Sequence, residues 1–128
     1  MHHPNEQVLK EIDEAQVKGD FQAFASHFTD DVVVHIGGKS QFAGDYNGKQ
    51  AFLDVFQKFS EAVPDYQFEG HAYLADDEHG VSLQHSTYKR GDESLESNDA
   101  FVSHFRDGKV SEFWLLSARE AEVDAFLG

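Results

Sequence analysis

The chain has 128 residues, 40% hydrophobic and 13% aromatic with twelve Phe, a soluble composition long enough for one domain over residues 1–128 with its own core. Ten Lys and Arg against 24 Asp and Glu leave a formal net charge of −14. That charge disfavours nucleic acid, anionic membrane and polyphosphate, which all bind basic surfaces, and points to a neutral, apolar or cationic ligand.

In chain order, Met1-His2-His3 is set aside as a native start or a tag remnant, and it does not read as a signal peptide. Val8, Ile12 and Ala15 recur at helical spacing until Gly19. Asp20 can cap a short second helix in which Phe21, Phe24 and Phe28 repeat. Val32 to Ile36 is a β-branched run and reads as a strand. The stretch HIGGKSQFAGDYNGK, residues 35–49, follows as a loop, and Asn47 to Gln50 has capping-box spacing for a third helix. That helix carries the apolar stripe Phe52, Val55, Phe56, Phe59 and ends at Val63-Pro64.

The rest reads as β structure. Tyr66–Ala75 alternates Tyr66, Phe68, Ala72, Leu74 against Gln67, Glu69, His71, Tyr73. Val81–Lys89 puts Val81, Leu83, His85 and Thr87 on one face, and a polar loop at about residues 90–96 follows. Asn98–Arg106 puts Phe101, Ser103 and Phe105 on one face, and Asp107-Gly108 signals a tight hairpin into Val110–Leu116. Ser117 to Glu120 reads as a capping box before a short terminal helix. Helices first and strands second predict an α+β fold, a curved and mainly antiparallel sheet around the long helix.

The glycine-rich stretch invites a phosphate-loop reading. Such a loop needs G-x-x-x-x-G-K-[ST]. Gly38-Lys39-Ser40 would place its leading glycine at Val33, inside a strand, and Gly48-Lys49 has Ala43 and Gln50 in the two key places. Both fail, and the charge argues the same way.

Four patterns together resemble the NTF2-like superfamily, in its branch of SnoaL-like polyketide cyclases and ketosteroid isomerase. They are Phe28-Thr29-Asp30-Asp31-Val32-Val33-Val34-His35 leading into the first strand, and Gly44-Asp45-Tyr46-Asn47-Gly48-Lys49-Gln50-Ala51 leading into the third helix. The others are Arg106-Asp107-Gly108-Lys109-Val110 at the last hairpin, and Glu112-Phe113-Trp114 before a helix ending Asp124-Ala125-Phe126. The resemblance implies a cone-shaped, cystatin-like roll whose cavity takes a small apolar organic molecule. It also implies a homodimer through the outer sheet face, where His71, Tyr73 and His104 would lie.

Ketosteroid isomerase uses a carboxylate base, a neutral Tyr and a protonated acid, and the residues carrying that resemblance depart from it. The first helix has no Tyr over residues 5–18, the base position falls at His35–Ile36, and Ser103 stands before His104-Phe105-Arg106 where the acid belongs. The expectation becomes a cofactor-free isomerase- or cyclase-type proton transfer with His35 as base, since imidazole titrates near neutrality. Ser103 would be a hydrogen-bond donor, His85, Phe101 and Trp114 would line the pocket, and Tyr46 would lean over its mouth. The alternatives are that the histidines are satisfied by neighbours, that Trp114 packs in the core or a dimer, that Tyr46 is a surface residue, and that the chain only binds a ligand or partner.

Zero cysteines exclude disulfides, thiolate catalysis and Cys-based zinc sites, and suit the cytoplasm. No window approaches about 18 consecutive apolar residues, so no membrane span is expected. His35, His71, His85 and His104 could suggest a metal, but strand parity sets them apart and no H-x-H or H-E-x-x-H spacing occurs. No metal or cofactor is therefore expected. A ligand pocket of this kind should hold several hundred Å³.

Overall fold

The computed structural model describes residues 3–128; Met1 and His2 lie outside them. Ten elements follow in order: α1 (Pro4–Lys18), α2 (Phe21–Ser26), β1 (Phe28–Ile36), β2 (Gly44–Asn47), α3 (Lys49–Ala62), β3 (Gln67–Ala75), β4 (His79–Arg90), β5 (Glu93–Arg106), β6 (Lys109–Ser117) and α4 (Glu120–Leu127). The strands form one six-stranded sheet in the order β2-β1-β6-β5-β4-β3. Every pairing is antiparallel except β1 with β6. This is the expected α+β class, helices followed by a curved sheet. No helix among the described residues is long and apolar enough to cross a membrane.

The helix boundaries follow from local chemistry. His3 caps α1, its Nδ1 accepting the Asn5 N–H at 3.0 Å while Glu6 reaches back to the His3 N–H at 2.9 Å. Gly19 closes α1 in the left-handed conformation, φ 71°. Asp20 caps α2 through the Ala23 N–H. The other two expected caps are not formed. Gly48, at φ 94°, precedes α3 and donates its N–H to the Val32 carbonyl, so the chain is pinned to β1 there and Asn47 belongs to β2. At α4, Arg119 holds the cap position while the Ser117 hydroxyl is shared with Ser97 at 2.8 Å.

Three boundaries differ from the sequence reading. Residues 44–47, taken as loop, form an edge strand that pairs with β1 through Val33–Asn47 and His35–Asp45. Phe28 opens β1 rather than closing α2. The β4–β5 turn is tight at Gly91-Asp92, so β5 begins at Glu93 instead of about Asn98.

The sheet wraps the aromatic face of α3. Phe52 lies at ring-centroid distances of 4.9 Å from Phe28, 5.2 Å from Phe113 and 5.8 Å from Phe24. This cluster ties α2, α3, β1 and β6 into one core. Phe52→Ala should lower unfolding free energy by about 3–5 kcal/mol, the usual cost of emptying a buried aromatic site. Urea unfolding of wild type and variant checks this, and a loss below about 1 kcal/mol would show that the cluster does not organise the core.

Candidate functional site

Between α1, α3 and the concave sheet face lies a cavity of about 140 Å³. Its walls are mostly aromatic, with Phe24, Phe52, Phe56, Phe59, Phe101 and Phe113 among them. The volume is below the several hundred Å³ expected, and near that of a cavity that accommodates a single benzene ring. A polycyclic molecule does not fit this conformation.

The polar groups come from two sources. On α1, Leu9, Ile12, Asp13 and Gln16 share the cavity-facing side at helical spacing. On the sheet, β4 turns Ser82, Gln84, Ser86 and Tyr88 inward, and β5 turns Ser97, Asp99, Phe101 and Ser103 inward. A bulge between Gly70 and Ala72 reverses the alternation in β3, so that Tyr73 comes inside and Leu74 is exposed. Cross-strand register then sets Gly70, Gln84, Asp99 and Ser117 in one row.

Gly70 has a steric role in that row. A Cβ there would overlap the Tyr73 hydroxyl and lie 2.7 Å from Asp13 Oδ2. Tyr73 donates to that oxygen at 2.6 Å. Asp13 is only 8% exposed, and burial pushes its carboxyl up to about 6, partly offset by the Tyr73 hydrogen bond. Its Oδ1 has no hydrogen-bond partner among the described residues.

Asp99, 3% exposed, is held differently. Tyr88 donates to its Oδ2 at 2.7 Å and Ser97 to its Oδ1 at 3.0 Å. Beside it, Gln84 donates its amide to Tyr66 Oη at 3.0 Å and Ser86 Oγ at 3.1 Å, which leaves its buried Oε1 without a partner. Burial raises the phenol pKa of Tyr66, Tyr73 and Tyr88, keeping all three neutral.

Residues 9–113 match the family profile described as a SnoaL-like domain. The chain belongs to the SnoaL-like domain family. Among solved structures it is similar to Bal32a from a soil-derived mobile gene cassette, with 21% identity over 98% of this chain and 97% of that one at TM-score 0.91. A cystatin-like-fold protein of unknown function from Xanthomonas campestris is 24% identical over 100% and 99% at TM-score 0.89. IdmH from Streptomyces antibioticus, a candidate polyketide cyclase, is 18% identical over 97% and 96% at TM-score 0.77. These likenesses show the fold. A comparison with curated proteins returned no match.

Within this SnoaL-like domain, two expected site residues line the cavity, Phe101 and Ser103. Ser103 is 3% exposed and its hydroxyl has no hydrogen-bond partner among the described residues. The other four lie elsewhere. Val34 and Ile36 face inward on β1, so His35 between them faces outward. Its Nδ1 meets Asp45 at 2.6 Å, its Nε2 meets Glu112 at 2.7 Å, and its ring stacks on Trp114 at 5.0 Å. The Glu112 hydrogen bond first, then that of Asp45, raises the imidazole pKa, opposite to what a neutral base requires.

Trp114 is outside for the same reason, because its neighbours Phe113 and Leu115 line the cavity. His85 is on the outer face of β4, bonded to Asn98 and Glu96. Tyr46 donates to the Phe42 carbonyl at 2.8 Å and packs against the core without lining the cavity. His104 meets the edge of Trp114, whereas Tyr73, expected on that outer face, points inward. Among the described residues no group of three or more His, Cys, Asp or Glu side chains could hold a metal ion.

Sequence reasoning missed Asp13 and Asp99, and each had a signal. Asp13 interrupts the apolar stripe of α1, and Asp99 has the same parity as Phe101, Ser103 and Phe105.

The raised pKa of Asp13 has a consequence for stability. The folded chain holds this proton more tightly than the unfolded chain, where the carboxyl titrates near the usual aspartate value of 3.8. This contribution therefore favours folding below about pH 4 and declines through about pH 6, by on the order of 3 kcal/mol. Asp13→Asn should flatten that slope while keeping the Tyr73 hydrogen bond. Urea unfolding between pH 4 and 8 measures it, and a variant with the wild-type slope would exclude Asp13 as the source.

Proposed function

We propose that this SnoaL-like domain binds a small, mainly apolar organic molecule of about one ring in its cavity, and that Asp13 carries out cofactor-free proton transfer of the isomerase or cyclase type. One observation carries the reading: a carboxyl group in an apolar cavity, pushed up to about 6, with one oxygen fixed by Tyr73 and the other unpartnered. A base of that strength balances ionised fraction against proton affinity near neutral pH. Its Oδ1 would take a proton from carbon next to a carbonyl and return it at another carbon. The hydroxyls of Ser82 and Ser103, both on the cavity wall, would donate to the enolate oxygen formed between the two steps. His35 has no part in this chemistry, because the sheet lies between it and the cavity.

Exchange of α-hydrogens for deuterium in small cyclic ketones, followed by proton NMR, tests this directly. Wild type should accelerate exchange over buffer, with a rising limb near pH 6, and Asp13→Asn should lose about 100-fold or more. Undiminished exchange in Asp13→Asn, or no acceleration by wild type, would overturn the assignment. Binding without turnover is the second reading, favoured by the small cavity. A molecule that raises Tm with concentration but is never converted would support it.

The same reading keeps a homodimer through the outer sheet face, where Leu116, two residues from Trp114, and Leu74, three strands along the row of Trp114, are exposed. Light scattering should then give the mass of two chains, and a monomer at micromolar concentration would remove this contact.

A further inference from the structure

Four carboxylates line the cavity, Asp13, Asp99, Glu120 and Asp124, and no Lys, Arg or His among the described residues does. Asp124 is occupied in structure, accepting the backbone N–H groups of Lys39 and Ser40 at 2.9 and 3.2 Å. Asp13 and Asp99 are more than nine-tenths buried and are met only by hydroxyl donors. A carboxylate taken out of water needs a positive charge or full hydrogen bonding to offset lost solvation. Among the described residues neither aspartate has a cation, and Asp13 Oδ1 has no donor.

The same deficit recurs next to Asp99. Gln84, which lies behind the cavity lining, has a buried Oε1 with no donor among the described residues, and it is paired with Asp99 across the β4–β5 ladder. Among the described residues the lining holds carboxylates and hydroxyls but no positively charged donor. Much of the rest of the lining is phenylalanine, from α3 and from the sheet beside Asp99, and phenylalanine ring faces attract cations within about 6 Å of the centroid. Outside, the net charge of −14 would concentrate cations and repel anions.

From this we infer that the ligand of the cavity is a small protonated amine, one ring or an alkyl group of similar size bearing an ammonium, with its N–H donors on Asp99 and its apolar part among Phe52, Phe101 and Phe113. The inference deepens the proposed reading of the cavity by naming its substrate class. Asp99 is the anchor because Tyr88 and Ser97 hold both of its oxygens in place, each with a further lone pair free for an ammonium. Asp13, near β3, is two strand spacings away, about 10 Å at the backbone, which leaves a one-ring molecule room to be anchored at one end and deprotonated at the other. The nitrogen should keep its N–H groups, since a quaternary ammonium supplies charge without donors.

The experiment is titration of the full chain with cyclopentylamine, cyclohexylamine and benzylamine, and with benzyl alcohol, benzoate and benzyltrimethylammonium. Binding is read by NMR, with cross-relaxation to phenylalanine ring protons as the sign of occupancy inside. It is run at low salt and at about 0.3 M, where the Debye length is only several Å and surface attraction is largely screened. At least one primary amine should bind about tenfold or more tighter than benzyl alcohol at the higher salt, with benzoate undetected and the quaternary ion weaker than its primary counterpart. Asp99→Asn should erase the preference for amine over alcohol, read as the ratio of the two affinities within the variant.

Equal affinity for amine and alcohol, loss of amine binding at higher salt, or no binding of any primary amine up to about 10 mM would overturn the inference. The wild-type comparison needs no variant to fold. The two readings fail separately. Ammonium selectivity without deuterium exchange defeats the proton-transfer reading alone, and exchange on ketones with no amine preference defeats this one alone.

Discussion

A carboxylic acid enclosed with phenylalanine is an unfavourable neighbour, and the interior of this domain is arranged around two of them. Asp13 and Asp99 are buried in a cavity with no basic side chain among the described residues that line it. Phenols and serines take the place of cations. Tyr73 serves Asp13, Tyr88 and Ser97 serve Asp99, and Tyr66, Gln84 and Ser86 fill the space beside them. Hydroxyl donors keep a carboxylate fixed without neutralising it. A buried polar network of this type sets geometry tightly, because any member left without a partner pays its desolvation in full.

The backbone makes this arrangement possible at Gly70. A bulge there turns Tyr73 inward, and the missing Cβ leaves the space where the Tyr73 hydroxyl and Asp13 meet. A helix and an edge strand are thereby joined by one short hydrogen bond at the point where the cavity begins. Removing either side chain alters the site and the α1–β3 contact together. Local fold stability and the character of the carboxyl are therefore the same physical fact.

The fold was largely legible because its order is written in periodicity. Phe52, Val55, Phe56 and Phe59 mark α3, Asp107-Gly108 marks the last hairpin, and the four quoted patterns point to the NTF2-like arrangement. What could not be read was which side of β3 and β4 faces in. Alternation assigns the apolar face to the core, and on β4 that means Val81 and Leu83 over Ser82, Gln84 and Ser86. The molecule does the reverse, since β4 buries Ser82, Gln84 and Ser86 and turns Val81 and Leu83 to the outer face. In β3 a one-residue bulge reverses parity midway, and Gly70 inside the strand is its local sign. Phe101 and Ser103 were legible as inward-facing residues because β5 keeps its alternation over that stretch, and Asp99 sits on the same side.

Moving the candidate base from His35 to Asp13 also changes what the outer face is for. Paired with Asp45 and Glu112 and stacked on Trp114, His35 gains a proton more readily than a free histidine, which suits a fixed cation on an acidic surface. Inside, the limit is size. Gln16, Phe56, Phe59 and Tyr66 line both the 140 Å³ cavity and an outer groove of about 690 Å³ between α1, α3 and β3, so these four side chains are the partition between them. Phe59 makes edge-on ring contacts with Tyr66 at 5.1 Å and Phe42 at 5.6 Å, interactions worth about 0.5–1.5 kcal/mol each beyond burial. Parting these rings would join the cavity to the groove and admit a ligand longer than one ring. The aromatic partition, rather than the carboxylates, therefore sets the upper bound on what the site accepts.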